Sequence, residues 1–156
     1  MRRLAVLLAT GLGLGRLPVV PATWASAATA LLLLWALPRL GFPAFLTLTL
    51  GVTLLALLVC GPAEDSLGHD ARPIVLDEVA GMMVTMCGVP VIGHGQPPYA
   101  IALAAGFVLF RIFDIWKPWP VGRAQALPGA YGVVTDDVLA GIYSNLVLQL
   151  LARVWR

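Results

Sequence analysis

The sequence predicts an all-α protein, a multi-span integral membrane helical bundle. Three observations carry that reading. Hydrophobic residues fill 60% of the 156 positions and charged residues 12%, against about 45–50% and about 25% in soluble domains. Proline and glycine cut the apolar sequence into pieces near the roughly 17–25 residues that cross a bilayer. Trp24, Trp35, Trp116, Trp119 and Trp155 fall near the ends of those pieces, as interfacial anchors do. The length fits one domain, 1–156.

The N-terminal "MRRLAVLLATGLGLG" has the basic start and apolar stretch of a signal peptide. Gly11, Gly13 and Gly15 break that stretch, and Arg16, Pro18 and Pro21 interrupt before any cleavage site, so the segment is taken as retained. Five spans are expected: Ala22–Leu37, which is short, then Phe42–Cys60, Ile74–Ile92, Tyr99–Trp116 and Val133–Val154. Pro38, Gly41, Gly61, Pro90, Gly93, Pro118 and Gly132 mark their borders.

Five spans put alternate loops on opposite sides. Arg2, Arg3, Arg16, Arg72, Lys117 and Arg123 gather on one side, with Arg111 just inside a span; Arg39, Arg153 and Arg156 fall on the other. The positive-inside rule makes the first side cytoplasmic. The acids share it. Glu64, Asp65 and Asp70 are placed in the second loop, Asp77 and Glu78 at the start of the third span, Asp114 at the end of the fourth, and Asp136 and Asp137 at the start of the fifth. None is assigned to the opposite face.

"DEVAG" (Asp77–Gly81) and "DDVLAG" (Asp136–Gly141) each set two adjacent carboxylates at an expected helix start. Neighbours on a helix point about 100° apart, so each pair offers one group to a site and one to a neighbouring ligand. Gly81 and Gly141 follow Asp77 and Asp137 by four residues, on the same face, where glycine admits a close helix. A single acid at a helix N-terminus reads as a cap or dipole partner. Two pairs plus Asp114 inside apolar spans read as functional. Carboxylates crowded into one patch call for a cation, and oxygen ligands select a hard ion, Mg²⁺ by default beside phosphate. "RIFDIWKPWP" (Arg111–Pro120) adds Arg111, Asp114 and Lys117 on one broad helix face. Lys117 precedes Pro118 and is pushed out of helical geometry. Snorkelling explains a lone terminal lysine; beside carboxylates on the same side, Lys117 and Arg111 suit a phosphate.

Other chemistries are disfavoured. Cys60 and Cys87 lie in apolar runs, lack paired metal-ligand spacing, and read as buried hydrophobes. Neither opens a Cys-x5-Arg phosphatase loop. The D-x-D-x-[TV] aspartyl phosphatase motif, the Lys-x6-Arg-Pro lipid phosphatase signature and the D-G-x-x-A-R phosphatidyltransferase run are absent. The scattered basic residues give no nucleic-acid patch.

The motifs "IVLDEVAGM", "GFVLFRIFDIWKPWP" and "GAYGVVTDDVLAGIY" resemble those of bacterial phosphatidylglycerophosphatase A, and the likeness runs from about Leu8 to the C-terminus. "ATGLGLGRLPVVPATWAS" is similar to the family's N-terminal pattern, with alanine at Ala22 and Ala25 in place of glycine; "EDSLGHD" resembles the acidic stretch before the D-E pair, with Glu64 where a lysine is frequent, and Ala130 replaces a glycine before the D-D pair. The resemblance implies a Mg²⁺-dependent lipid phosphatase of the bacterial inner membrane, its site facing the cytoplasm, that converts phosphatidylglycerophosphate to phosphatidylglycerol and phosphate. Mg²⁺ is then assigned to Glu78, Asp136 and Asp137, with Asp77 as a further ligand or a base. Lys117 and Arg111 bind the phosphate, Asp114 orients Arg111 or completes the metal shell, and His69 and Asp70 contribute to substrate binding. A membrane phospholipid is the expected partner. A small cation transporter or channel, or a phosphatidyltransferase, are the rival readings.

Overall fold

The computed structural model describes residues 2–69, 71–89 and 99–154. The helices are α1 (Arg2–Ala9), α2 (Pro21–Ala36), α3 (Phe42–Leu67), α4 (Leu76–Met86), α5 (Tyr99–Trp116), α6 (Val121–Ala124) and α7 (Ala130–Val154). Short 3-10 turns at Gly11–Arg16 and Leu37–Arg39 follow α1 and α2. The protein is an all-helical bundle, and among the described residues four helices are long and apolar enough to cross a membrane: Pro21–Arg39, Phe42–Leu67, Tyr99–Trp116 and Ala130–Val154. Leucines such as Leu31, Leu32, Leu50, Leu58 and Leu150 lie exposed along them, as lipid-facing side chains do.

The expected third span is corrected. Within Ile74–Ile92 the helix covers only Leu76–Met86, 11 residues, about 16 Å at 1.5 Å per residue, where the hydrocarbon core is about 30 Å thick. Its last residues, 90–92, lie outside the described residues. The segment is apolar because the bundle encloses it: Ala80, Met82, Thr85 and Met86 are fully buried. A helix wrapped by protein on every side is as apolar as one wrapped by lipid. The alternation of ends survives. Gly88 sits near Phe42 of α3 and Gln149 of α7, and the Tyr99 hydroxyl donates to the Leu33 carbonyl at 3.0 Å. Both mark the end opposite Asp77.

Two borders also move. α3 continues through Gly61 and Pro62 to Leu67, so Glu64 and Asp65 are helical rather than in a loop. The extension is held by packing, since Cys60 and Ala63 are fully buried in a cluster with Ala5 and Ala9 of α1. α7 begins at Ala130, three residues before the expected Val133. Gly129 turns the chain at φ +57, and Ala130, Val133 and Val134 join the same cluster. Asp136 and Asp137 therefore stand beyond the first turn of α7, not at its start.

α4 packs most extensively on α7, and α5 covers both. The core joins Met82, Met83 and Met86 of α4 to Phe110 of α5, Ala140 and Leu148 of α7, and Leu33 and Phe45. At the far end Arg39 stacks over the Trp35 ring, 4.5 Å from its centroid. Trp24, Trp116 and Trp119 are exposed; Trp155 lies outside the described residues. Cys60 and Cys87 are free thiols, the first buried and the second half-buried.

Candidate active site

The two glycines bring the two acidic pairs together. A Cβ on Gly141 would run into the carbonyl oxygen of Gly81, and one on Gly81 would meet the Phe110 ring at 2.5 Å and the Asp137 carbonyl oxygen at 2.7 Å. The backbones of α4 and α7 touch there, one turn past the carboxylates. Asp77, Glu78 and Asp137 consequently converge, each offering a carboxylate oxygen within 4.8 Å of the others. All three are buried.

Capping does not account for this arrangement. Asp136 and Asp137 sit past the first turn of α7, where the helix amides already have intrahelical partners. Asp77 Oδ1 does accept the Glu78 amide at 3.1 Å, as an acid in a first turn does. Glu78 Oε2, however, is buried and makes no hydrogen bond among the described residues, a costly state for a carboxylate oxygen.

α5 supplies the other wall. Its helix ends at Trp116, and Lys117 takes a left-handed conformation, φ +47, the turn that closes many helix C-termini and not the extended backbone a following proline favours. Its amide still reaches the Phe113 carbonyl at 2.9 Å. The turn aims the side chain across to α7, where Nζ lies 2.5 Å from Asp136 Oδ2. Burial favours the neutral amine, but the hydrogen bond to Asp136 and the charges of Asp136, Asp114 and Asp137 outweigh it and raise the Lys117 amine above its ordinary value. Lys117 therefore stays charged at neutral pH. Nearly two turns back, Arg111 Nη1 lies 2.7 Å from Asp114 Oδ2, while Arg111 Nε is buried with no hydrogen-bond acceptor among the described residues. The Asp114 carboxyl also reaches that of Asp137, so Asp114 links the arginine to the acidic group.

Asp136 accepts the Asp137 amide at 3.0 Å and turns its other oxygen to Lys117. His69 Nδ1 lies 2.6 Å from Glu64 Oε1 at the end of α3. Asp70 lies outside the described residues. A cavity of about 510 Å³ opens beside Glu78 and Arg111, walled by Pro18–Thr23 and by Ala71, Arg72 and Ile74. Arg72 and the Pro18–Thr23 wall were not among the expected site residues. Arg72 is a basic residue in the loop just ahead of the D-E pair, and its position there was the available signal.

Acids and cations gathered at one end of a bundle of membrane-length apolar helices define a membrane protein with a charged site at one end. The family model for phosphatidylglycerophosphatase A matches residues 7–152. The chain is 35% identical to phosphatidylglycerophosphatase A of Escherichia coli over 96% of this chain and 84% of that one. It is 35% identical to phosphatidylglycerophosphatase A of Haemophilus influenzae over 91% and 85%. It is 34% identical over 94% and 92% to a Bacteroides thetaiotaomicron protein with the provisional name phosphatidylinositol-3-phosphatase. No solved structure matches. The chain belongs to the phosphatidylglycerophosphatase A family and is a phosphoric monoester hydrolase of the membrane.

Proposed function

We propose that this protein is a Mg²⁺-dependent phosphatase that hydrolyses phosphatidylglycerophosphate to phosphatidylglycerol and inorganic phosphate, in phospholipid synthesis at the cytoplasmic face of the bacterial inner membrane. The convergence of Asp77, Glu78 and Asp137 beside Lys117 and Arg111 is the observation that carries the reading. Five carboxylates, counting Asp114 and Asp136, stand there with two paired cations. The surplus of negative charge, the oxygen-only donors and the lone Glu78 Oε2 fit a hard divalent cation.

Asp77, Glu78 and Asp137 would hold Mg²⁺. When bound, the ion supplies charge neutralisation for the phosphoryl oxygens and a lowered pKa for water. Lys117 and Arg111 bind the phosphoryl oxygens and offset charge that builds on them and on the leaving oxygen. Asp136 fixes the Lys117 ammonium, and Asp114 fixes the Arg111 guanidinium. Water adds to phosphorus as the bond from phosphorus to the glycerol oxygen breaks, and that oxygen leaves with a proton. Pairing with carboxylates keeps both cations oriented before substrate arrives, which lowers the reorganisation needed at reaction.

The acids lie at one end of the bundle, as a surface-acting lipid enzyme needs; an ion pathway needs them through its depth. The test is Asp137→Asn in purified protein. It should lose Mg²⁺-dependent phosphate release while its helical circular dichroism and elution volume match the parent. Full activity in this variant contradicts the assignment.

A further inference from the structure

We infer that Arg72 is a specificity residue that binds the phosphodiester of the substrate lipid while the terminal phosphomonoester occupies the acidic group. The inference rests on the reading above that the substrate carries both phosphates. Arg72 lines the 510 Å³ cavity together with Glu78 and Arg111, so a ligand in this cavity meets a second cation beside the carboxylate. An apolar groove of about 570 Å³ adjoins the cavity and shares Thr23 and Arg111 with it. Phe107, Val108, Ile112 and Ile115 of α5 line the groove. Cavity and groove meet at Thr23 and Arg111, so the lining runs from an apolar groove into a cavity that holds Arg72, Arg111 and Glu78. A diacylglycerol tail fits the groove, and a metal-bound phosphomonoester fits beside Glu78. With Arg111 paired to Asp114 and given to the phosphomonoester, Arg72 is the cation in the cavity lining left for the diester between them.

The loop that carries Arg72 is fixed. The Val75 amide donates to the Ala9 carbonyl at 2.9 Å and the Ile74 amide to the Ala71 carbonyl at 2.8 Å. Gly15 packs directly on the Pro73 carbonyl, where a Cβ would collide. The N-terminal segment thus holds the backbone around Arg72 in place and walls the same cavity through Val20 and its neighbours. A guanidinium on a fixed loop suits a phosphate diester, since its planar fork meets two oxygens at once.

The experiment compares the parent, Arg72→Gln and Arg72→Lys on phosphatidylglycerophosphate in mixed micelles with Mg²⁺. KM, kcat and the inhibition constants of phosphatidylglycerol and of inorganic phosphate are measured, with lipid product counted directly. Arg72→Gln should raise KM about tenfold, the loss of one charge-assisted contact, and leave kcat within about twofold. Inhibition by phosphatidylglycerol, which carries only the diester, should weaken by the same factor, and inhibition by inorganic phosphate should not change. Arg72→Lys should fall between. An unchanged KM in Arg72→Gln overturns the inference, and so does a fall in kcat or a parallel shift in the inorganic phosphate constant. A parent protein inactive on this lipid overturns the underlying reading and the inference with it; an active parent with an unaffected variant overturns the inference alone.

Discussion

Gly81 and Gly141 lie face to face where α4 crosses α7, with the Gly81 carbonyl oxygen filling the place of a Gly141 side chain. Each glycine stands four residues after an acid, Asp77 and Asp137, and those acids meet one turn away. The close crossing is thus the structural condition for the acidic group. Gly141→Ala should separate the helices by the thickness of a methyl group, destabilise the bundle by about 1–3 kcal/mol through overpacking, and lower kcat at least tenfold. Thermal unfolding in detergent and the rate of phosphate release check the two effects together. A variant with parental activity would show that the spacing does not matter.

Lys117 and Asp136 form a pair that α5 and α7 bring together. Lys117→Met should reduce kcat by about 10²–10³, the scale of losing one charge-stabilising donor. Asp136→Asn should fall by a smaller factor, because it acts through Lys117. The double variant should be no slower than Lys117→Met, as residues that work as a unit are not additive. Steady-state kinetics on the four proteins decide it; additive losses would mean that Asp136 has a separate role.

The short helix α4 is held at its far end by Asn145, whose Nδ2 donates to the Thr85 carbonyl at 2.8 Å and the Cys87 carbonyl at 2.5 Å. Gln149 in turn donates to Asn145 Oδ1 at 2.7 Å. Asn145→Ala should lower the unfolding temperature, with a loss of about 0.6–1.7 kcal/mol per bond, the range for hydrogen bonds between membrane helices. KM should not change, because the site lies two turns or more away along α4 and α7. A KM shift without a stability loss would contradict this division of roles.

Much of the architecture was legible in the sequence. The end of the Tyr99–Trp116 span was expected at Trp116 and is observed there, because the Pro118 stop and the tryptophans leave little freedom at that end. A close helix approach at Gly81 and at Gly141 was expected from the four-residue spacing in both motifs; that the two glycines face each other was not. The length of α4 was not expected either, since burial in protein and burial in lipid demand the same side chains. Nor was the continuation of α3 past Pro62, where contacts with α1 override a local helix breaker. The pairing of Asp136 with Lys117 depends on where the lysine points, and that follows from its left-handed backbone. The Arg72 cavity joins residues far apart in the chain, and beyond the place of Arg72 just ahead of the D-E pair no local pattern announces it.

The central claim is that the group formed by Asp77, Glu78 and Asp137 serves a metal-assisted phosphomonoesterase. The most direct test is phosphate release from phosphatidylglycerophosphate by the purified protein, first after exhaustive chelation and then after Mg²⁺ is restored. Release should be abolished by chelation and recovered with Mg²⁺, with phosphatidylglycerol formed in equal amount. Undiminished release from the fully chelated protein, or none after Mg²⁺ is restored, would contradict the claim.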